Sequence, residues 1–162
     1  GAAGLRHGDR VAVWAPNSSG WIFAAVGLQM AGGVLVPLNT RFKGSEAAYI
    51  LQKSRARILV SVEEFLGTRY LELLRGHELP DLERRVLLTG TAPDATSFEA
   101  FLADGARVSE ADAKSRALAV SPDDLADIRF LLSVPGVDGP EVRGYFERAG
   151  LLKDFDELHR KP

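Results

Sequence analysis

The chain is 162 residues long, 46% hydrophobic and 26% charged, with a formal net charge of −2. That length suits one domain, and the composition is that of an ordinary soluble protein, without the basic excess that marks a nucleic-acid partner. No cysteine is present, which excludes disulfides and thiolate chemistry and leaves a cytoplasmic setting as the expectation.

Gly1-Ala2-Ala3-Gly4-Leu5 reads as the closing turn of a helix cut off upstream, and no signal-peptide pattern accompanies it, so a fragment is expected. No charged residue lies between Arg10 and Arg41. Val11 to Ala15 predicts a strand stopped by Pro16, and Asn17, Ser18 or Ser19 can cap a helix that begins near Ser18 or Ser19. Across Trp21 to Met30 the only clearly polar side chain of that helix is Gln29. A helix apolar on most of its circumference belongs inside a protein, so cover is expected on all its sides. Gly32-Gly33 ends it, and Val34-Leu35-Val36 predicts a central parallel strand stopped by Pro37. Trp21 to Leu38 only just reaches the minimum of ~18 apolar residues for a membrane span. The glycine pair and the proline break it, so no span is expected.

Beyond Arg41 the alternation continues. Gly44 to Lys53 predicts a helix, Arg57 to Ser61 a strand, Glu64 to Arg75 a helix stopped by Gly76, Pro80-Asp81-Leu82 a turn, and Arg85 to Leu88 a strand. Strands separated by helices argue for parallel pairing with right-handed crossovers. Thr89 to Ser97 is a linker candidate, Ser97 caps a short helix through Leu102, and Asp104 to Arg116 reads as one solvated helix. Ser121-Pro122-Asp123-Asp124 starts another helix, its aspartates serving the helix dipole rather than a metal. The expected fold is α/β, a three-layer, mostly parallel sheet with helices on both faces.

The run GDRVAVWAPNSSGWIFAAVGLQMAGGVLVPLNTRFKGSEAAYILQKSRARILV resembles the N-terminal region of the AMP-forming acyl-CoA synthetases, within the adenylate-forming group. Its most specific piece is Leu28 to Asn39, LQMAGGVLVPLN, which is similar to the family's "LKAGAVYVPLN" segment. The resemblance covers Gly4 to Phe130 and implies that "SPDDLADI" leads into a strand, Ala126 to Leu132, that delivers a phosphate-binding loop. For the intact family member it implies ATP, Mg2+ and coenzyme A, with a carboxylic acid as substrate.

The chain then departs from the family. The loop expected there is "TSGTTGRPKG", in which hydroxyls and unhindered amides approach a triphosphate. Here the residues are Leu131 to Val142, LLSVPGVDGPEV. Ser133, Gly136 and Gly139 read as degenerate remnants of the phosphate loop; Pro135 removes a donor, while Asp138 and Glu141 bring negative charge. A carboxylate ~4 Å from phosphate is repelled by at least ~1 kcal/mol even in water, so ATP binding is not assigned to this chain. Residues 1–132 are read as an incomplete synthetase α/β subdomain and 133–162 as a divergent helical tail. For that tail a joined or shifted sequence ranks ahead of a divergent cap and of a peptide-binding hairpin.

No catalytic residue is assigned. His7, His77 and His159 lack paired-ligand spacing, so no metal site is expected, and neither G-x-S-x-G nor G-x-G-x-x-G occurs. Two weak substrate-binding candidates remain. Asn17 lies at the carboxyl end of a strand, where open α/β sheets place ligands, although helix capping explains it more simply. Arg41 can reach a phosphate or carboxylate, although pairing with Glu46 is the simpler reading. The functional expectation is a fragment of an acyl-CoA synthetase, inactive alone and missing the remainder of the enzyme. The alternatives are a non-catalytic α/β binding or interaction module and, third, a Rossmann-like nucleotide domain.

Overall fold

The structure is a computed structural model that describes residues 3–120, all within one compact unit, Gly1–Ala126. The expectations for the Ser121 helix start, the Ala126 to Leu132 strand and the 133–162 tail lie outside the described residues. Five strands, β1 (Arg10–Trp14), β2 (Val34–Pro37), β3 (Ile58–Ser61), β4 (Arg84–Leu87) and β5 (Thr96–Ser97), form one sheet. Between and after them come α1 (Ser19–Met30), α2 (Gly44–Ser54), α3 (Tyr70–Leu73), α4 (Phe98–Gly105) and α5 (Glu110–Leu118).

Every strand pairing is parallel, in the order β2-β1-β3-β4-β5. β1 is therefore bonded on both edges, with Val13 opposite Pro37 of β2 and Val60 of β3. A parallel strand covered on both faces must be apolar at every position rather than at alternate ones, and Val11 through Ala15 are all buried. Pro37 closes β2 at the sheet's edge, where a missing N–H costs no ladder bond.

The two faces of β1 meet different helices. Val11, with Ile58 and Val60 of β3, looks toward α1 and α4. Trp14, on the opposite face, stacks on Tyr70 of α3 with ring centroids 4.5 Å apart. α2 lies beside α3 on that second face, and their approach is so close that a Cβ on Gly44 would overlap the backbone carbonyl of Leu73. At the amino edge, the Arg57 guanidinium joins Asp9 to Glu83, at 2.6 Å from the latter. These paired carboxylates hold its pKa far above the usual range.

Ser18 is the cap of α1: its hydroxyl accepts from the Trp21 N–H at 3.1 Å. Five expectations are corrected. β2, expected as a central strand, is the edge strand of the described sheet, and β1 takes the inner place beside it. The helix over Glu64 to Arg75 is reduced to Tyr70–Leu73, because Phe65 and Thr68 pair across a tight reversal in which Leu66 takes φ 51° and Gly67 φ 75°. Asp104 to Arg116 is not one helix: α4 runs on to Gly105 and α5 restarts behind the Ser109 cap. The Thr89 to Ser97 linker ends in a short strand, β5, paired to β4. Finally, α1 is not covered on all sides, since Ile22, Phe23, Val26 and Met30 are exposed.

Candidate functional site

The strand order reverses between β1 and β3: the chain steps from β1 to β2 on one side and then crosses to β3 on the other. Open α/β sheets bind ligands at the carboxyl ends of the strands flanking such a reversal. In this chain that edge is built from Ala15 to Ser18 after β1, Leu38 to Arg41 after β2, Val62 and Glu63 after β3, and Leu88 to Thr91 after β4.

The loop after β2 is fixed from beneath. The Trp14 indole N–H donates to the Asn39 carbonyl at 2.9 Å, and the Tyr70 hydroxyl donates to the Thr40 carbonyl at 3.1 Å. Buried Trp and Tyr need partners for their polar ends, and here the two stacked rings spend theirs on consecutive carbonyls of one loop. Burial pushes the Tyr70 hydroxyl above the usual phenol range. Asn39 then folds its own side chain back, Oδ1 accepting from the Arg41 N–H at 2.9 Å. This brace is absent from the sequence reading. A tryptophan inside an otherwise aliphatic strand was its one local sign.

Both candidates occur on this edge and both are exposed. Asn17 is not the cap, since Ser18 fills that role. Arg41 does not pair with Glu46, whose carboxylate accepts from the Lys43 N–H at 2.8 Å. Among the described residues, neither the Asn17 amide nor the Arg41 guanidinium has a side-chain partner. Ser133, Gly136 and Gly139 lie outside the described residues.

Glu63, at the end of β3, is committed elsewhere. Its carboxylate accepts from the Thr91 N–H at 2.9 Å and pairs with Arg69, and these two bonds hold its pKa below the usual carboxylate range. Gly90 makes the approach possible, because a Cβ there would overlap the Glu63 side chain. The small depression alongside, about 90 Å³, is lined by Arg69, Arg75, Glu63 and Glu72. Glu72 lies 3.4 Å from Arg69 and 3.7 Å from Arg75, so the two signs cancel and no anion is favoured. Among the described residues no three His, Asp or Glu side chains gather as a metal site. One unpaired arginine and a capped helix start do not by themselves fit a triphosphate with its Mg2+. What this edge presents is one arginine guanidinium beside a loop braced by Trp14 and Tyr70.

A second cavity, about 460 Å³, lies on the α1 face and is lined by apolar residues, among them Leu5, Val11, Phe23, Leu28, Ile58 and Phe101. Its floor is Val11 of β1 with Ile58 and Val60 of β3.

A parallel sheet with the strand order β2-β1-β3-β4-β5 and helices on both faces is the doubly wound α/β architecture. Residues 2–130 match the AMP-binding enzyme family, and the chain belongs to it. It is 36% identical over 159 residues to the 3-[(3aS,4S,7aS)-7a-methyl-1,5-dioxo-octahydro-1H-inden-4-yl]propanoyl:CoA ligase of Rhodococcus jostii (strain RHA1). That match covers 94% of this chain, and so runs into the 133–162 stretch, but only 31% of the ligase. It is also 36% identical over 127 residues to crotonobetaine/carnitine--CoA ligase of Salmonella paratyphi A, covering 78% of this chain and 24% of that one. Among solved structures, acetoacetyl-CoA synthetase from Streptomyces lividans shares the fold at a TM-score of 0.52 and 24% identity, over 61% of this chain and 17% of that one. The chain thus spans less than a third of the length of the curated relatives it matches. No helix among the described residues is long and apolar enough to cross a membrane.

Proposed function

We propose that the chain is the amino-terminal scaffold of an AMP-forming acyl-CoA synthetase. The intact enzyme activates a hydrophobic carboxylic acid with ATP and Mg2+, as an acyl-adenylate, and transfers the acyl group to coenzyme A. One observation carries this reading: the 36% identity to a CoA ligase extends over 94% of the chain. The substrate in that ligase's name, a propanoate on a bicyclic diketone, is a carboxylic acid with a largely hydrocarbon body.

On this reading residues 1–132 supply a platform, and Arg41, with Asn17 beside it on the same sheet edge, contacts an anionic group of the substrate or nucleotide. The chemistry itself belongs to parts of the enzyme beyond this scaffold. The chain alone is expected to show no ATP–pyrophosphate exchange above background with decanoate or with the bicyclic propanoate. A chimera in which residues 3–120 replace the matching stretch of the Rhodococcus ligase is expected to restore exchange. Exchange by the chain alone, or a folded but inert chimera, contradicts the proposal.

A further inference from the structure

Arg41 leaves the chain from a turn whose central peptide is held at both ends. The Phe42 N–H donates to the Asn39 carbonyl at 3.1 Å, so Asn39 to Phe42 form a β-turn with Thr40 and Arg41 at its centre. A peptide unit is planar, and the one joining Thr40 to Arg41 carries the Thr40 carbonyl on one side and the Arg41 N–H on the other. The Tyr70 hydroxyl donates to that carbonyl at 3.1 Å, and Asn39 Oδ1 accepts from that N–H at 2.9 Å. A β-turn changes between types I and II by rotating this central peptide, which exchanges the places of its carbonyl and its N–H. Here that rotation breaks both bonds at once. Arg41 does not take a positive φ, which excludes the type II form, since that form needs φ above zero at the third residue.

Asn39 supplies its end of the clamp from within the turn. Tyr70 reaches in from 30 positions away, and its own place is fixed. It is fully buried and stacked on Trp14, and α3 is pressed against the start of α2 where Leu73 meets Gly44. Trp14 in turn holds the turn's closing carbonyl, that of Asn39. We propose that Tyr70 is a positioning residue for Arg41: its hydroxyl latches the central peptide of the turn and so sets the point from which the guanidinium meets an anionic group. The inference rests on the reading that Arg41 makes such a contact. Ordering the root of a binding side chain in advance lowers the entropy cost of the contact, so loss of the latch weakens binding and leaves the chemical step alone.

Tyr70→Phe removes the hydroxyl and keeps the ring stack. In the 162-residue chain the Arg41 amide, followed by magnetisation-transfer NMR, is expected to exchange about three- to tenfold faster in this variant, the range one hydrogen bond is worth. Amides of β1 and β3 are expected to keep their protection. An unchanged Arg41 amide overturns the proposal. The consequence for function is read in the Rhodococcus chimera as a double-mutant cycle with Arg41→Ala. Arg41→Ala is expected to raise the KM of one reactant among ATP, the bicyclic propanoate and CoA. Tyr70→Phe is expected to raise that same KM about three- to tenfold with kcat held within about twofold, and to add nothing in the Arg41→Ala background. A merely structural role gives equal effects of Tyr70→Phe in both backgrounds, or a fall in kcat at unchanged KM. Either result overturns the proposal and leaves Arg41 as the contact. If Arg41→Ala moves no KM, the contact itself is wrong and the proposal falls with it. Should the chimera not fold, the Arg41 amide decides alone.

Discussion

The two faces of the sheet are finished to different degrees. On the α2–α3 face Trp14 and Tyr70 are fully buried, stacked, and hydrogen-bonded to consecutive loop carbonyls. Gly44 lets α2 and α3 close over them with no room for a methyl group. On the α1 face an uncharged helix leaves Ile22, Phe23, Val26 and Met30 in solvent beside an apolar cavity of about 460 Å³. The same strands supply both faces, so strand composition does not cause the difference. It lies in what is available to pack against each side.

Mutations sharpen this contrast. The largest effect is expected from Trp14→Ala, which empties the closed face and orphans the Asn39 carbonyl: a loss of about 3–5 kcal/mol, read as a urea midpoint shift at constant slope. Gly44→Ala forces α2 away from the Leu73 carbonyl and is expected to cost about 1–3 kcal/mol, seen in the same titration. Phe23→Ser, on the open face, is expected to change stability by less than about 0.5 kcal/mol in the chain alone. A large loss there would show that α1 is already covered.

Acid provides a test at the carboxyl edge. The Thr91 N–H and Arg69 hold the Glu63 pKa below its unfolded value. Its stabilising contribution is therefore complete above the unfolded carboxylate pKa and declines as pH falls through the lower folded value. Glu63→Gln is expected to flatten the acid limb of the stability curve in that window. An unchanged acid limb would show that the bonds to Thr91 and Arg69 do not contribute.

Much of the fold was legible because its signals are local. Val11 to Ala15 is apolar at every position, Pro16 and Ser18 mark the strand's end and the helix cap, and Gly32-Gly33 separates α1 from β2. What was not legible depends on residues far apart in the chain. The reversal at Leu66 uses a residue that does not advertise a positive φ, and it forms where Glu63 is held by Thr91, 28 positions away. Tyr70 lies within the helix expected over Glu64 to Arg75, but its partners are Trp14 and the Thr40 carbonyl, far away in the chain. At the candidate site, Asn17 and Arg41 fall on exposed loops at the carboxyl edge of the sheet. The simpler role given to each failed, because a neighbouring hydroxyl and a neighbouring backbone amide took those bonds first.

Native-state amide hydrogen exchange on the chain alone tests the unequal faces most directly. Amides of α1 are expected to exchange through openings well below the global unfolding free energy, while those of β1, β3 and α2 exchange only near the global limit. Protection of α1 equal to that of α2 would contradict an open face on α1.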